Sequence, residues 1–382
     1  MEDRLKRLIE GNSELNRIKL ANEWKAQGKK IIGILSTYVP EEVIYAAGML
    51  PWRITGSWKE NISRARLYRT EGACSYCNHV LESFLNGELD FLDGVVVADI
   101  DQDLVRLWDV LVYLNKPQYC HLIHMPFTDI SQLNYNFLRD EIRKLIQSVE
   151  KSFGVKISNE ELKSSIGIYN KTRDLLTKLN KLRKRELPPL SGAEMLGITT
   201  TAMIMPKDQF NKEIEALMPY IEKRKVNIKT VHPRIMVMSD MLDNPAYLNL
   251  VEENCLVAMD DMDTGIRYFT ENVDNSIKDP AAALAKRYLG RHASPRLSSW
   301  DRQIEQVIKW AKEYNIDGVL SLPHAWCYPQ RYRMPFMIKK LSEAGIFSIS
   351  LEREYHFANA GQLRTRIGAF LEMLGTKSGS RA

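Results

Sequence analysis

Cys74 and Cys77 are separated by two residues, at the head of a stretch whose apolar residues keep helical spacing to Asn86, where Gly87 stops it. A helix start lowers the pKa of a thiol and favours the thiolate, the form that binds metal. Cys-x-x-Cys by itself leaves several chemistries open. A four-cysteine zinc site needs a second such pair, which the chain lacks, although His79 and Cys327 could complete a mixed tetrahedral set. A thioredoxin-type redox pair follows a strand, and this one does not. The other cysteines, Cys120 and Cys255, sit in apolar runs and read as small buried side chains.

Further reactive side chains come at the ends of short apolar runs. Ser36, Thr37 and Tyr38 follow Ile31 to Leu35, Asp99 and Asp101 follow Val95 to Val97, and His324, Trp326 and Cys327 follow Val319 to Leu322. In open parallel sheets ligands bind outside the carboxyl ends of the strands, which makes these positions the ones to watch. Ser36 also reads as a hydroxyl that satisfies backbone N–H groups at a helix start. Trp326 also reads as a side chain that packs a core.

The elements that must position these residues alternate. Leu5, Leu8, Ile9, Leu15, Ile18 and Leu20 give residues 1–28 an apolar stripe that predicts one helix. Ile31 to Leu35 has strand character. Pro40 followed by Glu41 and Glu42 predicts a helix start, because proline's fixed φ suits a first turn and carboxylates suit the positive end of the dipole. Gly48 ends that helix and Met49 to Ile54 reads as a strand, as do Asp93 to Val97 and Tyr119 to Met125. Strand-like runs vanish between Phe137 and Lys225, where Ser158 with Glu161 and Ser191 with Glu194 form two capping-box patterns. Strands and helices alternate again from Arg234, with Ile235 to Met238, Leu256 to Met259, Asp317 to Leu320 and Ile346 to Leu351 as strands. Such alternation marks parallel α/β units.

We therefore expect an N-terminal helical segment (1–29), a first α/β domain (30–135), a helical segment (136–229) and a second α/β domain (230–382). Asp93-Gly94-Val95 echoes Asp317-Gly318-Val319, and Ala47-Gly48-Met49-Leu50 echoes Ala344-Gly345-Ile346-Phe347, as if the two domains were built alike.

Composition narrows the function. A chain of 382 residues with 45% hydrophobic and 26% charged residues is an ordinary globular protein large enough for two cores. The net charge of +5 is mild and the basic residues are scattered, so nucleic acid is not expected as a partner. The basic stretch from Lys171 to Arg185 reads as a solvated helix face. No run of 18 or more apolar residues and no leader pattern is seen, which points to a cytoplasmic protein without a membrane partner and to reduced thiols rather than disulfides. No G-x-x-x-x-G-K-[ST] loop occurs, so ATP use by this chain is not expected.

Four segments carry a family resemblance. Trp24 to Pro51 (WKAQGKKIIGILSTYVPEEVIYAAGMLP), Leu89 to Val96, Asp261 to Phe269 (DMDTGIRYF) and Gly361 to Leu374 (GQLRTRIGAFLEML) resemble, in order, subunits of the 2-hydroxyacyl-CoA dehydratase and benzoyl-CoA reductase family, most closely the smaller subunit type. The resemblance implies an α/β fold of two Rossmann-like parallel-sheet domains with an N-terminal helix and a helical insertion. It implies an iron–sulfur cluster, of [4Fe-4S] type, held by three cysteines. Cys74 and Cys327 match the first and third, whereas Asp101 stands where the second cysteine belongs.

Cys77 could supply the missing thiolate, Asp101 could itself be the ligand, or the cluster could be altered or lost. Ligand chemistry favours Cys77, because thiolates are the usual cluster donors, and the strand-end position favours Asp101. Ser36 matches the position at which the dehydratases place a hydroxyl near the substrate carbonyl. The resemblance further implies an acyl-CoA substrate, a homologous partner subunit in a heterodimer or homodimer, and an ATP-hydrolysing activator protein as electron donor. The chemistry would be either ketyl-radical dehydration of a hydroxyacyl-CoA, a lyase reaction, or ring reduction of a benzoyl-CoA type substrate, an oxidoreductase reaction, in an anaerobic enzyme. A double-cubane reductase of small molecules and a non-catalytic partner subunit are the alternatives.

Overall fold

A computed structural model describes residues 1–70, 72–127, 130–225, 232–292, 300–357 and 360–379. The fold is α/β, built on two separate four-stranded sheets. The first contains β1 (Ile31–Ile34), β2 (Leu50–Arg53), β3 (Gly94–Asp99) and β4 (Tyr119–His124), in the order β2-β1-β3-β4. The second contains β5 (Arg234–Met238), β6 (Leu256–Asp261), β7 (Gly318–Ser321) and β8 (Phe347–Ser350), in the equivalent order β6-β5-β7-β8. Every strand pair is parallel. Most of the central strands are buried along their whole length, which is why they read as continuous apolar runs rather than alternating ones.

Helices α1 (Glu2–Ile9) and α2 (Glu14–Ala26) precede the first sheet, whose connections hold α3 (Glu41–Ala46), α4 (Ser75–Leu85) and α5 (Gln102–Leu114). Four helices, α6 (Gln132–Phe153), α7 (Asn159–Leu182), α8 (Gly192–Ala202) and α9 (Lys207–Lys223), lie between the sheets in sequence. The second sheet is accompanied by α10 (Ala246–Val251), α11 (Ile266–Phe269), α12 (Pro280–Gly290), α13 (Trp300–Glu313), α14 (Tyr328–Glu343) and α15 (Ala360–Gly379). Both capping boxes form, with Ser158 and Glu161 starting α7 and Ser191 and Glu194 starting α8.

The Asp-Gly-Val echo has one physical cause in both sheets. The carboxylate of Asp93 accepts the N–H of Ile31 at 2.9 Å, and that of Asp317 accepts the N–H of Arg234 at 2.7 Å. Each aspartate thus satisfies the first donor of the neighbouring strand. The second echo has a different origin, because Gly48 leads into β2 whereas Gly345 leads into β8, which is not the topological equivalent of β2. What the two glycines share is a helix stop, at φ of 74° and 76°, where a side chain would be strained.

Three expectations are corrected. The N-terminal helix is two, broken at a 3₁₀ turn over Glu10–Asn12, because the buried Asn12 side chain turns inward to donate to the Asp243 carbonyl. The face from Lys171 to Arg185 is only partly solvated, since Arg173 and Arg183 are buried against Glu42 and Asp260. Trp326 does not pack a core: it is 41% exposed, at a φ of 63°.

Candidate site at the switch points of the two sheets

The strand order places a switch point between β1 and β3 in the first sheet and between β5 and β7 in the second. Ser36 follows β1 and Asp101 follows β3, while Asp240 follows β5 and Cys327 follows β7. Three helix starts meet in the seam between the sheets. Cys74 caps α4, Asp101 caps α5 and Cys327 caps α14. The Cys74 N–H donates to Asp103 on the first turn of α5 at 3.3 Å, and the Ser75 N–H donates to the Ala325 carbonyl, two residues before Cys327, at 3.2 Å. Ser75 Oγ also donates to Glu354, and Tyr76 stacks on His324 with ring centroids 6.0 Å apart.

Both capping cysteines are buried, at 2% and 1% exposure. Cys327 Sγ lies 2.9 Å from Asp240 Oδ2, and the other Asp240 oxygen accepts from Gln330 at 2.8 Å. On the next turn of α14, Arg333 is fully buried, and its three guanidinium nitrogens have no hydrogen-bond partner among the described residues. Burial and the like charge of Arg267 push it down to about 9, against which Asp261, Asp240 and Cys327 favour its charge. An orphaned cation beside a cysteine suits an anionic guest or a thiolate.

Cys77 is equally buried. At about 100° per residue, Ser75, Tyr76 and His79 share the side of α4 that contacts Glu354, His324 and His356. Cys77 lies with Val80, Leu81 and Phe84 in the core cluster of the first sheet, which also takes in Cys74 and Tyr76. Asp101 acts as a helix cap, accepting the Leu104 N–H at 2.9 Å. Ser36 is buried and its hydroxyl accepts the Tyr38 N–H at 3.1 Å, so it closes a turn ahead of α3 rather than capping that helix.

His79 does not join a zinc set. Its Nδ1 meets the Ser57 carbonyl at 2.7 Å and its Nε2 faces His356 at 3.4 Å, and burial pushes it down to about 4. Cys255 is buried as expected, whereas Cys120 is only half-buried. Among the described residues, no three His, Cys, Asp or Glu side chains converge closely enough to hold a metal ion. Asp240, Gln330 and Arg333 escaped the sequence reading. The Gln and Arg of α14 carried no local signal, since only the packing of β5 against β7 brings Asp240 to them.

Paired parallel sheets with cysteines and carboxylates at their switch points define an α/β protein with a candidate site between its sheets. The family model described as 2-hydroxyglutaryl-CoA dehydratase, D-component, matches residues 36–374, and the chain belongs to that family. It is 27% identical to the (R)-phenyllactyl-CoA dehydratase beta subunit of Clostridium sporogenes, over 91% of this chain and 92% of that one. It is 26% identical to the beta subunit of (R)-2-hydroxyglutaryl-CoA dehydratase of Acidaminococcus fermentans, over 92% and 94%. It is 23% identical to one of the subunits of benzoyl-CoA reductase of Thauera aromatica, over 93% and 94%. No helix among the described residues is long and apolar enough to cross a membrane.

Proposed function

We propose that this chain is the iron–sulfur subunit of an acyl-CoA dehydratase or reductase, paired with a homologous subunit and supplied with low-potential electrons by a separate ATP-hydrolysing activator. The observation that carries this reading is the meeting of three helix starts, with Cys74 and Cys327 on two of them, Asp101 on the third, and the orphaned Arg333 cation beside Cys327. Cys74 and Cys327 would hold a [4Fe-4S] cluster together with one further donor. When bound, the cluster supplies one-electron reduction and, at an iron not held by cysteine, a Lewis acid.

The chain's own residues would do the rest. Burial at the two caps keeps water from the thiolates, and Arg333 would offset the negative charge at Cys327. Ser36 accepts a backbone N–H, which leaves its own proton to donate to the carbonyl oxygen of an acyl-CoA thioester. For the further donor, position supports Asp101, on the helix start that meets Cys74, and softness supports Cys77.

The test is iron and sulfide content after anaerobic purification of the wild type and of Cys74→Ala, Cys327→Ala, Cys77→Ala, Asp101→Asn and Asp101→Cys. Loss of iron in both capping-cysteine variants is expected. Asp101 as donor gives loss in Asp101→Asn, recovery in Asp101→Cys and little change in Cys77→Ala, while Cys77 as donor gives the reverse. The absence of a three-donor cluster among the described residues favours a second reading, a non-catalytic partner subunit. A wild type that takes up no iron on anaerobic reconstitution would establish that reading and end the first.

A further inference from the structure

The turn that carries Ser36 leans on a second buried assembly, which the cluster chemistry leaves unused. Glu41 and Glu42 at the start of α3 are buried among groups from distant elements. Glu41 Oε1 lies 3.2 Å from Arg53, and Glu41 Oε2 accepts from Tyr268 at 3.0 Å with Lys207 Nζ 3.7 Å away. Glu42 pairs with Arg173 and accepts from Tyr288 at 2.8 Å. Within this assembly is a small space of about 10 Å³ whose walls include Thr37, Glu41, Tyr169, Arg173, Tyr268 and Arg287.

Two hydroxyls on its wall, Thr37 Oγ1 and Tyr169 Oη, have no hydrogen-bond partner among the described residues, although the two residues are only 5% and 2% exposed. A buried hydroxyl is almost always satisfied, by protein or by an ordered water. The space matches one water-sized probe, and a buried water needs two to four polar partners, which these walls provide.

We propose that this space binds one ordered water molecule, which accepts hydrogen bonds from Thr37 and Tyr169 and donates to Glu41, tying the Ser36–Thr37 turn to α7. The nearby Arg173 and Arg287 would also suit a small anion, but the Glu41 carboxylate on the same wall calls for a guest that donates as well as accepts. Thr37 is on this account a positioning residue for its neighbour Ser36. The proposal does not depend on the cluster, and it stands or falls separately from it.

The test is a high-resolution crystal structure of the wild type, with a second crystal grown in bromide. Density of water size within hydrogen-bond distance of both hydroxyls, with no bromide anomalous peak, is expected. A bromide peak, an empty space, or a Thr37 hydroxyl donating to a protein carbonyl would overturn the assignment. In solution, exchange of the Tyr38 amide, which is bonded to Ser36 Oγ, is expected to speed up by about threefold or more in Thr37→Val and not in Thr37→Ser. Equal exchange in Thr37→Val and wild type would remove the tether.

Discussion

Loss of Glu42 should cost the fold heavily. Its carboxylate is fully buried, paired with the buried Arg173 and bonded to Tyr288, and Arg287 stands nearby. In Glu42→Ala the Arg173 guanidinium stays buried beside a second cation and loses its ion-pair partner. Breaking a buried pair from one side costs about 3–5 kcal/mol, a large part of the roughly 5–15 kcal/mol that holds a typical protein folded. For a domain of ordinary size this corresponds to a fall in Tm of roughly 10 °C.

Replacing both partners, as Glu42→Met with Arg173→Met, should recover most of the loss, because apolar groups of similar volume carry no desolvation penalty. Thermal and urea unfolding of the two single variants and the double variant form a cycle that isolates the pair. A Glu42→Ala protein within about 1 kcal/mol of wild type would refute the reasoning. The same pair sets a pH dependence. Burial would push the Glu42 carboxyl up, but Arg173 and Arg287 outweigh it and hold the group below its ordinary 4.5. Its contribution is therefore present above pH 4.5 and is lost as the pH falls through the lowered value in the fold. Glu42→Ala should lose this component of the acid sensitivity.

Other sites give sharper single tests. A Cβ on Gly265 would lie 1.9 Å from Asp260 Oδ1, which already accepts the Ile266 N–H, so Gly265→Ala should lower the urea midpoint by about 1–3 kcal/mol equivalent. Burial pushes the Cys120 thiol up to about 11 and the Cys255 thiol higher still, so at pH 8 both should resist iodoacetamide in the native protein and label fully after denaturation, as read by mass spectrometry. Rapid native labelling of Cys120 would contradict its environment. Ser191→Ala removes the cap of α8 and should cost about 1 kcal/mol in urea unfolding, whereas Ser191→Asp should cost far less.

What was legible in the sequence is what short-range physics decides. Buried parallel strands must be continuous apolar runs, capping boxes satisfy donors three residues away, and a glycine past a helix end marks the stop, so the two sheets and both capping boxes could be read directly. Asp279 and Pro280 at the start of α12 were a readable signal of the same kind. Helix α14 was harder, because buried Met334, Met337 and Leu341 share it with the exposed Tyr332 and Phe336, which blurs its apolar stripe.

Tertiary structure decided the rest, because its partners come from far along the chain. Pro40-Glu41-Glu42 announces a helix start, yet only packing supplies Arg53, Arg173 and Lys207 and makes the two carboxylates a buried charge centre. Local pattern could place Cys74 at a helix start and Asp101 and Cys327 just after strands. Their approach to one another depends on how α4, α5 and α14 are held across the seam. Contacts between distant segments arise only when burial of both sheets fixes where those segments lie, and no local pattern encodes that outcome.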